Sequence, residues 1–273
     1  SDLCSEIRKK DGLPQVNHPF DVSFSTRYNS EFWDMIEIFE SIEIWNGATP
    51  FAAGTINAKA FKKWLSLLEE GKRLTATTGS DTHNIYGDDY FGMTEWLDWL
   101  MDTVMTHPEI YPVHMNEKVD YLTWLYKKVW PRLLAWVEQS NTPSTIHNYV
   151  YTNGKNKPQE ILQAIREGHS FISNGPLVTA EINGASYGDT AVLKGKTGTL
   201  SVHVFSKKQI SHLWMYTGAD KKIELCTKAE AAEGGFTYDI AADEFDFGDA
   251  AWAVFVADGG ENNLAISNPI LFA

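Results

Sequence analysis

A strand, a helix and a second strand follow one another between residues 42 and 78, an order that few folds accommodate. Residues 42–45 predict a buried strand that closes at the turn pair Asn46-Gly47. Residues 57–70 predict a helix that ends at Gly71 and buries one apolar face, formed by Phe61, Trp64, Leu65 and Leu68. Residues 74–78 predict the next strand. A helical connection of this kind favours parallel strands joined by right-handed crossovers, as in α/β proteins.

A second helix is predicted directly before the first of these strands. Asn29 or Ser30 can cap it, and the i, i+3, i+4, i+7 spacing predicts one buried face, formed by Phe32, Met35, Ile36 and Phe39.

The segment from residue 85 to residue 145 has a different character and predicts a helical insertion. Five of the chain's 10 tryptophans fall here. Two interpretations stay open: the aromatic side chains form the core and packing surface of the insertion, or they form a lid over an apolar substrate pocket.

From residue 177 onward the helical period disappears and short alternating strands recur, separated by turns rich in glycine and aspartate. This spacing is typical of a β-sandwich, so a domain boundary is expected near residue 177. The predicted strands are residues 178–182, 200–205, 213–216, 223–226, 236–240, 252–257 and 266–271.

Composition excludes some classes of partner. The chain has 273 residues and a net charge of −13, which argues against non-specific binding to nucleic acid or to an anionic membrane. No apolar run approaches the roughly 20 residues of a membrane span. Cys4 and Cys226 are expected to be buried thiols. The sequence does not identify the cellular compartment, because it fits a cytoplasmic and an exported soluble protein equally.

Metal-binding residue types gather at the predicted strand ends. Asp81 and His83 follow the strand 74–78, and residues two apart in an extended chain project to the same side. A carboxylate beside an imidazole suits a divalent metal such as zinc or manganese. His18 and Glu43 belong to two further strands, and in α/β folds functional residues gather at carboxyl strand ends.

Each of these residues also has a structural interpretation. His18 could cap a strand, and Asp81 could cap a turn or a helix. Glu43 is as much a candidate for orienting a ligating histidine as for being a ligand itself. His147 could contact substrate or simply pack, and Arg27 could hold an anionic substrate group or lie at the surface.

Four motifs together resemble the PHP (polymerase and histidinol phosphatase) superfamily of metal-dependent hydrolases, in particular its carbaryl-hydrolase-like branch. The motifs are His18-Pro19, Glu43-Ile44-Trp45-Asn46-Gly47, Gly79-Ser80-Asp81-Thr82-His83 and the run of residues 160–176. The resemblance covers residues 12–84 and 147–180, and the Trp-rich insertion has no counterpart in it.

The resemblance implies a distorted βα barrel with metals at the carboxyl ends of its strands. It carries metal-ligand and catalytic roles to His18, Asp81 and His83, with Glu43 as a further ligand or an orienting residue. Zinc, manganese or iron is the implied cofactor. The His-x-His pair and the later Asp-His motif of the family do not occur in this sequence.

The resulting fold expectation is an incomplete PHP-type βα barrel over residues 1–176 that carries the helical insertion, followed by a small β-sandwich over 177–273. The expected activity is hydrolysis of a phosphoester, ester or carbamate bond in a small-molecule substrate, although this chain alone is not expected to be fully active. The alternative is a non-catalytic binding or scaffold protein that recognises a glycan or a protein. A homo-oligomer, or a complementing amino-terminal fragment, would cover the open edge of the sheet.

Overall fold

The helices and strands below come from a computed structural model that describes residues 2–21, 30–47, 51–81, 146–225, 229–260 and 263–273. The helices are α1 (Asp2–Lys9), α2 (Ser30–Asp34), α3 (Ile56–Glu69) and α4 (Pro158–Arg166), with a 3-10 turn at Ile36–Ile38. The strands are β1 (Gln15–Val16), β2 (Ser41–Asn46), β3 (Thr75–Gly79), β4 (His147–Val150), β5 (Ser170–Ser173), β6 (Leu177–Ile182), β7 (Thr190–Ala191), β8 (Thr197–Ser206), β9 (His212–Tyr216), β10 (Lys222–Leu225), β11 (Glu230–Ala232), β12 (Gly235–Asp246), β13 (Trp252–Asp258), β14 (Leu264–Ser267) and β15 (Ile270–Phe272).

The chain divides into two compact units, and all of these elements belong to the first. This unit comprises Ser1–Gly79 and Thr145–Ala273, whereas Ser80–Ser144 form the second. Ser80 and Asp81 are the described residues of the second unit. The predicted insertion at 85–145 lies outside the described residues.

Strands β1, β2 and β3 form a parallel sheet in that order, which confirms the arrangement predicted from the strand–helix–strand pattern. Helix α3 joins β2 to β3, and the Thr55 side chain caps it by accepting a hydrogen bond from the Ala58 amide. Phe61, Trp64 and Leu65 are buried on the face of α3 that the sequence predicts. The indole Nε1 of Trp64 also donates to the Leu74 carbonyl at 2.8 Å, so the helix is fixed to the start of β3.

The helix predicted before β2 is shorter than expected. It ends at Asp34 and is followed by the 3-10 turn, and Met35 is 53% exposed instead of buried. A 3-10 turn advances each residue by about 120° around its axis, against 100° in an α-helix. Met35 lies between the end of α2 and this turn with φ at −101° and ψ at 10°, so it no longer continues the helix face that carries Phe32, whereas Ile36 is buried.

An eight-stranded sheet and a four-stranded sheet follow. The larger has the order β10-β9-β13-β14-β5-β4, with β15 and β7 attached beside β13, and the smaller has the order β11-β12-β8-β6. One apolar cluster lies between the two sheets; its members include Val178, Ile182, Val202, Val204, Met215 and Phe255.

The opposite face of the eight-stranded sheet packs on the parallel sheet and on α3. This second apolar cluster includes Ile42, Ile44, Trp64, Val254 and Ile266. The larger sheet is therefore covered on both faces.

The predicted strands after residue 177 are confirmed with one correction. The strand predicted at 266–271 is two strands, β14 and β15, separated by Asn268-Pro269. Proline cannot donate to a ladder, and the Asn268 carboxamide is used elsewhere, as described below. Strands β4 and β5 precede residue 177 but share a sheet with β9, β10, β13 and β14. The boundary at residue 177 stays a prediction.

The described part of the parallel sheet does not close into a barrel, and side chains cover its β3 edge. The Asn148 carboxamide accepts from the Thr78 amide at 3.0 Å and donates to the Thr78 carbonyl at 2.8 Å. Asn268 makes the same pair of bonds with Ala76, at 2.7 and 3.1 Å. An edge that would otherwise be open to a second chain is therefore satisfied within this one.

An ion-pair cluster lies at the amino end of β2. Glu40 accepts from Arg8 Nε at 2.6 Å and from Arg166 Nε at 2.7 Å, which ties α1 and α4 to the sheet. Burial raises the pKa of Glu40, but the two guanidinium groups outweigh burial, so the net pKa is lowered. None of the described helices is long and apolar enough to cross a membrane.

Candidate metal site at the carboxyl end of the parallel sheet

One face of the parallel sheet is apolar and the other is polar, because side chains alternate along each strand. Ile42 and Ile44 of β2 belong to the apolar cluster against α3. Ser41 and Glu43, the intervening residues, are also buried, at 0% and 5% exposure. Burying polar side chains in this way is costly unless each finds a partner. The hydrogen bonds of this polar face therefore show what it is built to hold.

Gln15 of β1 connects the polar face across all three strands. Its Oε1 accepts from Thr77 Oγ1 on β3 at 2.8 Å and from Ser41 Oγ on β2 at 3.2 Å. Its Nε2 donates to Asn17 Oδ1 at 2.7 Å. This network fixes the three strands relative to one another just before the chain leaves β1 towards His18.

Glu43 is the central residue of the site. Its Oε2 accepts the backbone N–H of His18 at 2.6 Å, a short charge-assisted hydrogen bond. A register shift lies between Glu43 and Trp45 in the pairing of β2 with β3, as at a β-bulge. Bulges re-aim side chains next to functional sites. The buried carboxylate of β2 thus holds the loop that follows β1.

Gly79, the last residue of β3, completes the space around Glu43. A Cβ atom built on Gly79 would lie 2.9 Å from Glu43 Oε1, closer than side chains tolerate. A side chain at this position would displace the carboxylate oxygen from the place it occupies. Glu43 therefore contacts the loop after β1 on one side and the end of β3 on the other.

His18 is held in an uncommon backbone conformation, with φ at +30°. Its Nδ1 is buried and has no hydrogen-bond partner among the described residues. Asp21 Oδ2 lies 3.9 Å away, too far for a hydrogen bond but close enough for an ion pair if the imidazole is protonated. A buried imidazole nitrogen without a hydrogen bond is the form in which histidine binds metals.

Asp81 lies two residues beyond the end of β3 and adopts a left-handed φ of +57°. Its partner in the predicted pair, His83, lies outside the described residues, as does Arg27. Within the residues that the structure describes, no three His, Cys, Asp or Glu side chains are grouped as a metal site. Of the four predicted metal-site residues, the structure brings His18 and Glu43 together. Asp81 is described here by its backbone conformation alone.

His147 is the first residue of β4 and is exposed. Its ring lies 6.1 Å from that of Tyr149, in an edge-on arrangement. Successive side chains of a strand point to opposite faces, and Asn148 points to Thr78 of β3. The side chains of His147 and Tyr149 therefore project from the face of β4 opposite to that of the Asn148 side chain.

The donor atoms present fit a divalent metal in type. His18 offers a buried imidazole nitrogen, and the nearby carboxylate of Glu43 is desolvated but hydrogen-bonded. Because one oxygen of Glu43 is engaged by the His18 amide, the geometry favours an orienting role for Glu43 over that of a sole ligand.

Three residues that shape this region have structural roles that the sequence does not predict. Asn148 and Asn268 act through contacts with residues 70 and 192 positions away. Gly79 was part of a motif, but its steric role with Glu43 depends on the register of two strands. No protein-family model, curated protein or solved structure matches this chain.

Proposed function

We propose that the protein is a metal-dependent hydrolase of the PHP type, acting on a phosphoester, ester or carbamate bond of a small molecule. In this proposal the parallel sheet is part of a βα barrel, and the two later sheets are a β-sandwich. The observation that supports it most is the buried Glu43 carboxylate, which connects the loop of His18 to the end of β3.

The residues of the site would divide their roles as follows. His18 would bind the metal through its imidazole, with Asp81 and His83 as further ligands. Glu43 would hold the His18 loop by its hydrogen bond to the backbone, so that the imidazole does not have to be ordered when metal binds. His147 and Arg27 remain the proposed substrate contacts.

A bound zinc, manganese or iron ion would polarise the substrate bond that is cleaved and would lower the pKa of a bound water. The chain's own contribution is the buried polar face of the parallel sheet, which holds the loop of His18 in place. Since a metal with few protein ligands binds weakly, this chain alone is not expected to reach full activity.

Elemental analysis by inductively coupled plasma mass spectrometry tests the proposal directly. Zinc, manganese or iron is expected in the wild type after incubation with the ion, with loss in the Asp81→Ala/His83→Ala double variant. His203→Ala is the matched control, because His203 is an exposed histidine that pairs with Asp239 on another sheet. Absence of metal in the wild type, even after incubation with these ions, would refute the proposal.

One observation favours the second candidate function, a non-catalytic binding protein. Tyr149 stacks on Phe171 with ring centroids 4.8 Å apart and planes at 7°, and Tyr151 is 70% exposed. Exposed rings on β4 and directly after it suit stacking on a sugar. Binding of an oligosaccharide that is lost in Tyr151→Ala, by a wild-type protein free of metal, would support this function over hydrolysis.

A further inference from the structure

An aromatic cavity whose lining includes none of His18, Glu43 and Asp81 lies between α3 and the eight-stranded sheet. It has a volume of about 680 Å³, within the range of small-molecule sites. Four aromatic side chains line it: Phe51, Phe61, Trp214 and Tyr216. Lys222 and Asp258 are its charged residues.

Three of the rings, from Phe51 through Phe61 to Tyr216, are in contact and form a wall, and Trp214 lies beside them stacked on His212 with ring centroids 5.0 Å apart. Phe51 and Phe61 lie 5.8 Å apart between centroids, and Phe61 meets Tyr216 edge-on at 5.4 Å and 85°. Trp214 and Tyr216 are two residues apart on β9, so they project from the same face of the sheet. Such edge-on pairs hold rings in place. The wall is therefore preorganised for a flat apolar ligand.

Lys222 brings a positive charge to this wall. Its Nζ lies 3.7 Å from the centroid of Trp214 and 5.6 Å from that of Tyr216. No carboxylate among the described residues forms an ion pair with it. The acidic neighbours are engaged elsewhere, because Glu224 pairs with His212 at 2.6 Å and Asp220 with Lys62 at 2.8 Å. The ammonium group is thus held by aromatic faces, and within the described ranges no carboxylate occupies the position that an anion would take.

Asp258, the second charged residue of the cavity, forms no ion pair with Lys222 in the part of the chain that the structure describes. Asp258 Oδ1 accepts the Gly260 amide at 2.9 Å. Burial, and then the charge of Asp258, raise the pKa of the Tyr216 phenol. Tyr216 therefore contributes an uncharged ring to the cavity.

We infer that this cavity binds a small aromatic anion, with the ring against Phe51, Phe61 and Tyr216 and a carboxylate at Lys222, which Trp214 holds in place. The chain carries a net charge of −13, so long-range attraction does not favour anions here. Affinity for an anion must come from a local group, and Lys222 is the cation that the cavity presents. This inference is independent of the proposed hydrolase function.

Isothermal titration calorimetry with 2-naphthoate and its uncharged analogue 2-naphthylmethanol tests the inference. The wild type is expected to bind the carboxylate more tightly than the alcohol. Lys222→Met keeps the apolar stem and removes the charge, so it should weaken naphthoate binding about tenfold or more and leave the alcohol unaffected. Lys221→Met is the matched control, because the preceding lysine does not line the cavity, and it should change neither affinity.

A second variant tests the location. Ala53 is an exposed residue at the cavity wall, so Ala53→Trp should fill the space without unfolding the protein and abolish binding of both probes. No binding to the wild type, equal affinities of the two probes, full naphthoate affinity in Lys222→Met, or full affinity in Ala53→Trp would each overturn the inference.

Discussion

The carboxamide of Asn268 is hydrogen-bonded to both backbone groups of Ala76, although 192 positions separate the two residues. Its Oδ1 accepts from the Ala76 amide at 2.7 Å and its Nδ2 donates to the Ala76 carbonyl at 3.1 Å. The same Nδ2 lies 3.0 Å from the Ser170 carbonyl. One fully buried side chain thus links β3 of the parallel sheet to the start of β5 in the larger sheet.

Replacing this side chain should destabilise the protein strongly. Asn268→Ala leaves two buried backbone groups of Ala76 without partners, and we expect a loss of about 2–4 kcal/mol in the free energy of unfolding. Asn148→Ala is the control, because Asn148 makes an equivalent pair of bonds with Thr78 but is exposed. Water can replace it, so its loss should be about 1 kcal/mol. Urea denaturation measures both, and equal losses would contradict the expectation.

Gly188 should be intolerant of any side chain. Its φ is +83°, and a Cβ atom built there would lie 2.1 Å from the Glu167 carbonyl oxygen. Gly188→Ala therefore combines left-handed strain with a backbone clash, and we expect a loss of roughly 4 kcal/mol or more. Gly184 has a similar φ of +78° but open space around it. Gly184→Ala should cost only the strain, about 1–2 kcal/mol. Thermal unfolding measures the loss in both variants. Similar losses for both would show that the clash relaxes.

Periodicity was sufficient to predict the elements of this fold whose stability rests on apolar burial. The face of α3 carrying Phe61, Trp64 and Leu65, and the alternating strands after residue 177, each leave a repeating signal along the chain. The interruption at Asn268-Pro269 was not predicted, because Ile266, Ile270 and Leu271 suggest one continuous apolar strand. Pro269 is the local signal for this break, since proline cannot donate to a ladder, whereas the hydrogen bonds of the Asn268 side chain to a distant edge leave no local pattern.

The candidate site, too, could be predicted from the sequence only in part. The sequence brings His18 and Glu43 to attention by residue type and motif, and the parallel order of β1 and β2 makes them neighbours. It could not indicate that the Glu43 carboxylate binds the backbone of His18 rather than its imidazole, because this depends on strand register and on the space above Gly79. The same limit applies to Lys222, whose position over Trp214 is a cross-strand contact.

Acid should weaken the attachment of α1 and α4 to β2. The pKa of Glu40 is lowered in the folded state, so its contribution to stability is complete above the ordinary pKa of a glutamate and is lost as the pH falls through the folded-state pKa. Arg166→Gln should therefore destabilise the protein at pH 7 by up to about 1 kcal/mol and by less near pH 3.

The ion pair of Lys196 and Asp249 provides the control for this titration. Both side chains are largely exposed, so solvent screens the pair, and Lys196→Gln should leave the unfolding curve unchanged at both pH values. A pH-independent effect of Arg166→Gln, measured by urea denaturation, would indicate that the arginine stabilises by packing or by its bond to the Gly12 carbonyl.

Glu43 should be needed for both stability and metal affinity. Glu43→Ala leaves the His18 amide without its acceptor, and we expect a loss of about 1–3 kcal/mol in unfolding free energy. If the proposed site binds zinc, the same change should weaken zinc binding about 10–100-fold. Glu43→Gln retains an oxygen acceptor and should recover most of the stability. Glu181→Ala, an exposed residue of β6, is the control for loss of a carboxylate. A zinc affinity in Glu43→Ala equal to that of the wild type would exclude the orienting role.

The covering of the β3 edge by Asn148 and Asn268 has a consequence for how the chain is made. During synthesis β3 emerges from the ribosome early, but the side chain that satisfies Ala76 arrives 192 residues later. At the usual rates of translation this interval lasts about 10–40 s. Asn148 can reach Thr78 after 70 residues, but the Ala76 part of the β3 edge lacks its partner for the whole interval, so this is the stage at which a chaperone, or a neighbouring nascent chain, has access to it.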